Sequence, residues 1–398
     1  MKTHILRTTI FVLGLFAIVS CGQDPIFWII SKETPPLKPY IPGTPTNMVI
    51  FKRGDLSVLV VASGSKIYCY RQGTWNSGVS IPEPGGKIRA LATTSDDYLY
   101  AITETGKGLN ARLMRIGKDD GSWSELSDGG YSMLLSLYAD PDGNHVFAGA
   151  RMDDNNEVYA ILHLESSVDS SLKLLESNTA LLSGAAADGT NYYLSTILTK
   201  ESSSIQSGIF YIPQTNLANN SLTLSSGSEN RTFMGMIRLK DTGKTIVAVE
   251  REGGTLYKVN GSSVEELSIK TEKYATGALA LWAADSSATN GTVLVAGRQG
   301  GLYYTTSDSY DYGYVEFPLK SDGTLSGESR LDPNGFQSVH DPDRYRPTIG
   351  IKPINHLFQA PHDIDPSIRF FASTHNSGLW SYRNRVDSGG WQWNAETN

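Results

Sequence analysis

Val58-Leu59-Val60-Val61-Ala62-Ser63-Gly64-Ser65-Lys66-Ile67-Tyr68 is the stretch that decides the fold. Val58 to Ala62 is a continuous apolar run, as expected of a β-strand covered on both faces. After a polar break, Lys66-Ile67-Tyr68 reads as the returning strand of a hairpin. The returning strand recurs at Arg112-Leu113-Met114, Glu157-Val158-Tyr159, Gly208-Ile209-Phe210, Thr255-Leu256-Tyr257, Gly301-Leu302-Tyr303 and Gly378-Leu379-Trp380. Successive third positions lie 46, 45, 51, 47, 46 and 77 residues apart. A period in this range marks a repeat architecture.

Outward from the hairpin, each unit has the same order. A first strand of small and aliphatic residues precedes it, at Met48 to Phe51, Ile88 to Thr93, Met133 to Tyr138, Leu181 to Ala187, Met234 to Leu239, Gly277 to Trp282 and Ile354 to Gln359. Short polar turns such as Asp140-Pro141-Asp142-Gly143 join it to the apolar run. A weaker fourth strand closes the unit, for example at Gly73-Thr74-Trp75, Tyr314-Val315-Glu316-Phe317 and Gly390-Trp391-Gln392-Trp393. Four antiparallel strands repeated seven times describe an all-β chain, a seven-bladed β-propeller over residues 48–398. The 77-residue interval exceeds the period by about 31 residues, which predicts an insertion near 320–350 between the sixth and seventh blades. An open β-solenoid is the other repeat fold to weigh, but its coils are usually much shorter than this period. No blade departs from the common strand order, so nothing indicates a shared blade; residues before Met48 are available as a closing strand.

The first twenty residues read as an export signal, with Lys2 and Arg7 ahead of an apolar run from Thr9 to Val19. The following Ile18-Val19-Ser20-Cys21-Gly22 resembles the lipobox of bacterial lipoproteins. That resemblance implies an acylated Cys21 at the mature N-terminus and an exported, membrane-anchored protein, on a periplasmic face or at the cell surface. Two or more acyl chains anchor stably where one is marginal. Residues 21–47 carry Pro25, Pro35, Pro36, Pro39, Pro42 and Pro45 and read as an extended tether. Within it, Ile26-Phe27-Trp28-Ile29-Ile30 suits either the lipid interface or docking on the body as an extra strand, the second being favoured because aromatic patches are rarely left bare. Cys69 is the sole thiol downstream of Cys21, so no disulfide is expected, and its apolar strand suits a buried small hydrophobe.

A net charge of −7 supplies no basic field for a phosphate backbone, which excludes nucleic acid as the expected partner. No phosphate loop, dinucleotide fingerprint or Gly-x-Ser-x-Gly elbow appears, and no cofactor is implied. Asp120-Gly121-Ser122-Trp123 resembles the Asp-box turn of sialidase-like propellers, which is structural in that family. The family's early Arg-Ile-Pro is missing, so sialidase activity is not expected. Asp241-Thr242-Gly243-Lys244 resembles, faintly, the repeats of the propeller lipoprotein of the outer-membrane assembly machine. The Pro-rich linker followed by a propeller resembles spirochaete lipoproteins of unassigned function.

Aligning the residues that leave each apolar run gives Ser63, Glu104, Arg151, Ile197, Arg251, Arg298 and His375. Equivalent positions in a propeller share one face, so Arg151, Arg251, Arg298 and His375 form a candidate rim for a small anion or glycan. Local ion pairing with Glu250, Glu252 or Asp153 is the competing account of these arginines. His340, His356, His362 and His375 match no metal spacing, and no metal site is expected. Tyr345 and Arg346, in the long insertion, are the candidate partner contacts. The expected function is an envelope-bound scaffold for a protein or ligand, with a glycan- or anion-processing enzyme as the alternative.

Overall fold

In the computed structural model the described residues fall within 39–396, apart from 284–291, 299–312, 327–348 and shorter segments, mostly in loops. Their strands form seven antiparallel sheets. Blade 1 is β1 (Val49–Arg53), β2 (Leu56–Ser63), β3 (Lys66–Arg71) and β4 (Thr74–Trp75). Blade 2 is β5 (Lys87–Thr93), β6 (Tyr98–Thr105), β7 (Asn110–Gly117) and β8 (Ser124–Leu126). Blade 3 is β9 (Leu134–Ala139), β10 (His145–Arg151), β11 (Tyr159–Glu165) and β12 (Lys173–Thr179). Blade 4 is β13 (Leu181–Ala187), β14 (Asn191–Ile197), β15 (Ile209–Pro213) and β16 (Thr223–Leu224), with a 3-10 turn at Gln214–Asn219.

Blade 5 is β17 (Phe233–Arg238), β18 (Ile246–Glu250), β19 (Thr255–Asn260) and β20 (Ser263–Lys270). Blade 6 is β21 (Ala275–Trp282), β22 (Val293–Arg298) and β23 (Tyr314–Pro318). Blade 7 is β24 (Ile354–Gln359), β25 (Phe370–Thr374), β26 (Gly378–Arg385) and β27 (Gly390–Ala395). The chain is a seven-bladed β-propeller, with every sheet in simple first-to-last strand order.

The continuous apolar runs have a direct cause. Alternate residues of one strand point to opposite faces, and here both faces are seams between blades. Val58, Val60 and Ala62 of β2 pack toward blade 2 with Ile88, Leu91 and Leu99. Leu59 and Val61 turn the other way, onto Phe371 and Leu379 of blade 7. The same logic fills every seam among the described residues. Each fully buried Val or Leu contributes about 1.5–3 kcal/mol, so hydrophobic burial holds the ring. Cys69 belongs to the seam between blades 1 and 2; it is buried, and burial pushes its thiol up to about 12.

Two sequence expectations change. Tyr314–Pro318 is the third strand of blade 6, not the fourth: Ala296 pairs with Val315 and Gly297 with Tyr314. Val315 and Phe317 fill the seam to blade 5, while Tyr314 faces blade 7. Spacing had selected Gly301-Leu302-Tyr303, which lies outside the described residues. Extra chain therefore separates β22 from β23, in addition to the stretch that follows blade 6. The second change is at the start of the body. Residues 39–47, read as tether, run along the seam between blades 7 and 1, where Ile41 is fully buried. The body begins at Pro39. Residues 1–38, including Cys21 and the Ile26 to Ile30 patch, lie outside the described residues.

Candidate functional site

First strands of neighbouring blades pack against one another, which places them innermost. Each second strand returns to the end at which its first strand begins. Arg151 N donates to Met133 O (2.9 Å), Arg251 N to Thr232 O (2.8 Å) and His375 N to Pro353 O (3.1 Å). Glu104 pairs with Lys87, Ile197 with Leu181 and Arg298 with Ala275. The rim positions therefore occupy the entry end of their blades, and this end is the candidate mouth.

In six blades the pairing of the first two strands carries a β-bulge, in most of them toward this end. Bulges re-aim side chains and are common at barrel rims. In blade 2 the bulged residue is Arg89, whose guanidinium forms an ion pair with Glu104. In blade 4 it is Ser183, whose hydroxyl donates to Phe233 O of blade 5 at 2.6 Å. Thr276, in the bulge of blade 6, likewise donates to Ile354 O of blade 7. The bulges thus pin neighbouring inner strands together.

The four predicted rim residues are presented differently. Arg251 and His375 are exposed, and Arg151 is half-buried. Arg298 is withdrawn: it is 4% exposed and its Nη1 donates to Thr271 O at 2.7 Å. Glu250, the acid expected beside Arg251, is held by Arg231 at 3.2 Å. Arg231 Nη1 also donates to Tyr257 Oη (2.6 Å), and that phenol donates to Glu250 (3.2 Å). Burial and the Glu250 charge push the Tyr257 phenol up to about 12, against the pull of Arg231.

Sequence reading missed this Arg231–Tyr257–Glu250 cluster. Tyr257 reads only as the third position of a returning strand, and Arg231 lies in an aperiodic inter-blade loop. Tyr345, Arg346 and His340 lie outside the described residues. His356 sits half-buried in β24, where burial lowers its imidazole to about 4. Among the described residues no group of three or more His, Cys, Asp or Glu could hold a metal ion.

The inner wall is tight between blades 5 and 6. A Cβ at Gly235 would lie 2.6 Å from Gly277 O, and one at Gly277 would strike Met234 O. Gly277 also has φ +83°, a left-handed conformation that glycine adopts without penalty. The Asp-box-like turn is structural here: Asp120 Oδ2 accepts from Gly117 N (2.7 Å), and Trp123 Nε1 donates to Pro82 O (2.6 Å).

No protein-family model and no curated protein sequence matches the chain. Solved structures do. Virginiamycin B lyase from Staphylococcus aureus aligns at 12% identity with a TM-score of 0.51, over 85% of this chain and 94% of the lyase. The GH74 enzyme of Niastella koreensis aligns at 12% identity and TM-score 0.54, over 89% of this chain and 54% of that enzyme. The GH74 xyloglucanase of Xanthomonas campestris gives 14% identity and TM-score 0.52, over 89% and 55% of the two chains. The chain thus spans about half the length of the two GH74 enzymes. Identities at this level establish a common propeller fold and nothing about activity.

Proposed function

We propose that the protein is an exported bacterial lipoprotein of the spirochaete type, anchored through acylated Cys21, whose propeller is a non-catalytic platform in the cell envelope. The observation that carries the platform reading is the commitment of two acids at the mouth, Glu104 and Glu250. Glu104 belongs to Arg89 in blade 2, and Glu250 to Arg231 and Tyr257 in blade 5. Glycoside hydrolysis requires two carboxylates poised across one substrate. Here both charges hold the rim together. The exposed Arg251 and His375 remain available to a partner protein or small anion, with Tyr345 and Arg346 as further partner contacts.

Two measurements test this reading. Metabolic labelling with an alkyne-tagged fatty acid should mark the wild-type chain, and Cys21→Ser should abolish both label and membrane retention. Persistent label on the variant would remove the anchor at Cys21. Affinity isolation of the full chain from detergent-solubilised envelopes should retain a stoichiometric partner, weakened by Arg251→Glu. A monomer that cleaves a glycan would establish the enzyme reading instead.

A further inference from the structure

The seam between blades 7 and 1 joins the two ends of the ring, and residues 39–46 lie in it as an irregular strap that bends at Tyr40, Ile41 and Gly43. Backbone groups of both blades read this strap. Tyr40 N donates to Glu396 O (2.6 Å) and Thr46 N to Ala62 O (2.8 Å). In return Leu379 N donates to Ile41 O (3.0 Å), and Gly378 N to Gly43 O (2.8 Å). Side chains complete the set: Ser63 Oγ donates to Pro42 O, Ser373 Oγ to Pro45 O, and Ala62 N to Thr46 Oγ1 (3.1 Å).

The composition of the strap fits its seat. Proline has no N–H and fixes φ; Pro42 and Pro45 engage through their carbonyls alone. Ile41 is the apolar anchor, fully buried among Leu59, Val61, Phe371 and Leu379. The seat is cut to the strap as well. Gly378 has φ +77°, and a Cβ there would lie 2.6 Å from both Ile41 O and Pro39 Cβ.

We propose that this seam is a recognition groove for a bent, proline-punctuated peptide, filled in cis by residues 39–46. Main-chain hydrogen bonds to both blades supply affinity and the Ile41 pocket supplies selectivity. The tether's own covalent attachment keeps the local concentration of the strap high. Release of the strap opens the groove to the same segment of a second copy.

The test uses the full chain with Ile41→Asp, which removes the cis anchor while leaving the groove intact. A fluorescent peptide of residues 39–47 should bind this variant at least about tenfold more tightly than wild type. Adding Gly378→Ala should abolish that binding. A folded Ile41→Asp chain that ignores the peptide, or equal binding by wild type, would overturn the proposal.

Hydrogen exchange on the wild-type chain gives a second reading that survives if the variant does not fold. The amides of Tyr40, Thr46, Gly378 and Leu379 should exchange together, faster than those of β10. Exchange of all four only with global unfolding would show a strap inseparable from the ring, and the proposal would fail.

Discussion

At the residue scale, burial sets the protonation behaviour that can be tested. Burial holds the imidazole of His356 at about 4. It also lowers that of His145, against the opposing charges of Glu165 and Asp140. His145 Nδ1 and His163 Nε2 share a hydrogen bond of 3.0 Å across blade 3. An unfolded chain takes up these protons near pH 6.5, while the folded protein resists them. Stability is therefore fully present above about pH 6.5 and declines as pH falls toward about 4, because the unfolded state then binds more protons. Urea unfolding of wild type and His356→Gln at about pH 7.5 and 4.5 checks this. The variant should lose less stability across the interval, by on the order of 1–3 kcal/mol; equal losses would contradict the assignment.

At the element scale, β-bulges and glycines determine how closely the inner strands approach. Gly277 combines φ +83° with direct contact to Met234 O of blade 5. Gly277→Ala imposes backbone strain and a steric clash together, so it should cost about 2–4 kcal/mol. Chemical denaturation checks the magnitude, and a neutral substitution would show that β17 and β21 can separate freely. The third strand of blade 6 teaches a related lesson. Leu302-Tyr303 carries the aliphatic-then-aromatic signature at the right spacing, whereas Tyr314-Val315 has the order reversed. Packing favours the latter, because Tyr314, Val315 and Phe317 fill two seams at once.

At the scale of the whole molecule, the join between first and last blades is the seam that the chain does not cross by passing from one blade to the next. A charged network secures it. Glu396 is fully buried, accepts from Trp75 Nε1 (2.7 Å) and the Ser381 hydroxyl, and lies 3.6 Å from Arg369. Asp365 accepts from the Tyr70 phenol and faces the same Arg369 at 3.2 Å. Removing one partner of a buried charged network strands the others. Glu396→Ala should therefore cost about 3 kcal/mol, with a change in Trp75 fluorescence on the same unfolding curve. Loss below about 0.5 kcal/mol would mean that the seam closes by apolar packing alone.

The repeat, the blade count and the two-sided burial of the second strands were legible in the sequence, because hydrophobic patterning and turn chemistry are local and recur with the period. The sequence also carried the lipobox resemblance at Cys21, a linear signal read without any fold. The folded chain settles what depends on distant segments meeting. It withdraws Arg298 from the rim, gives Glu104 to Arg89 and Glu250 to Arg231, and seats residues 39–46 against Gly378 and Glu396. None of those pairings has a sequence period, since each joins a repeat position to an aperiodic loop, a bulge or a chain end. Equivalent positions in a repeat guarantee a shared face; which of them reaches solvent is settled by the neighbours each one meets.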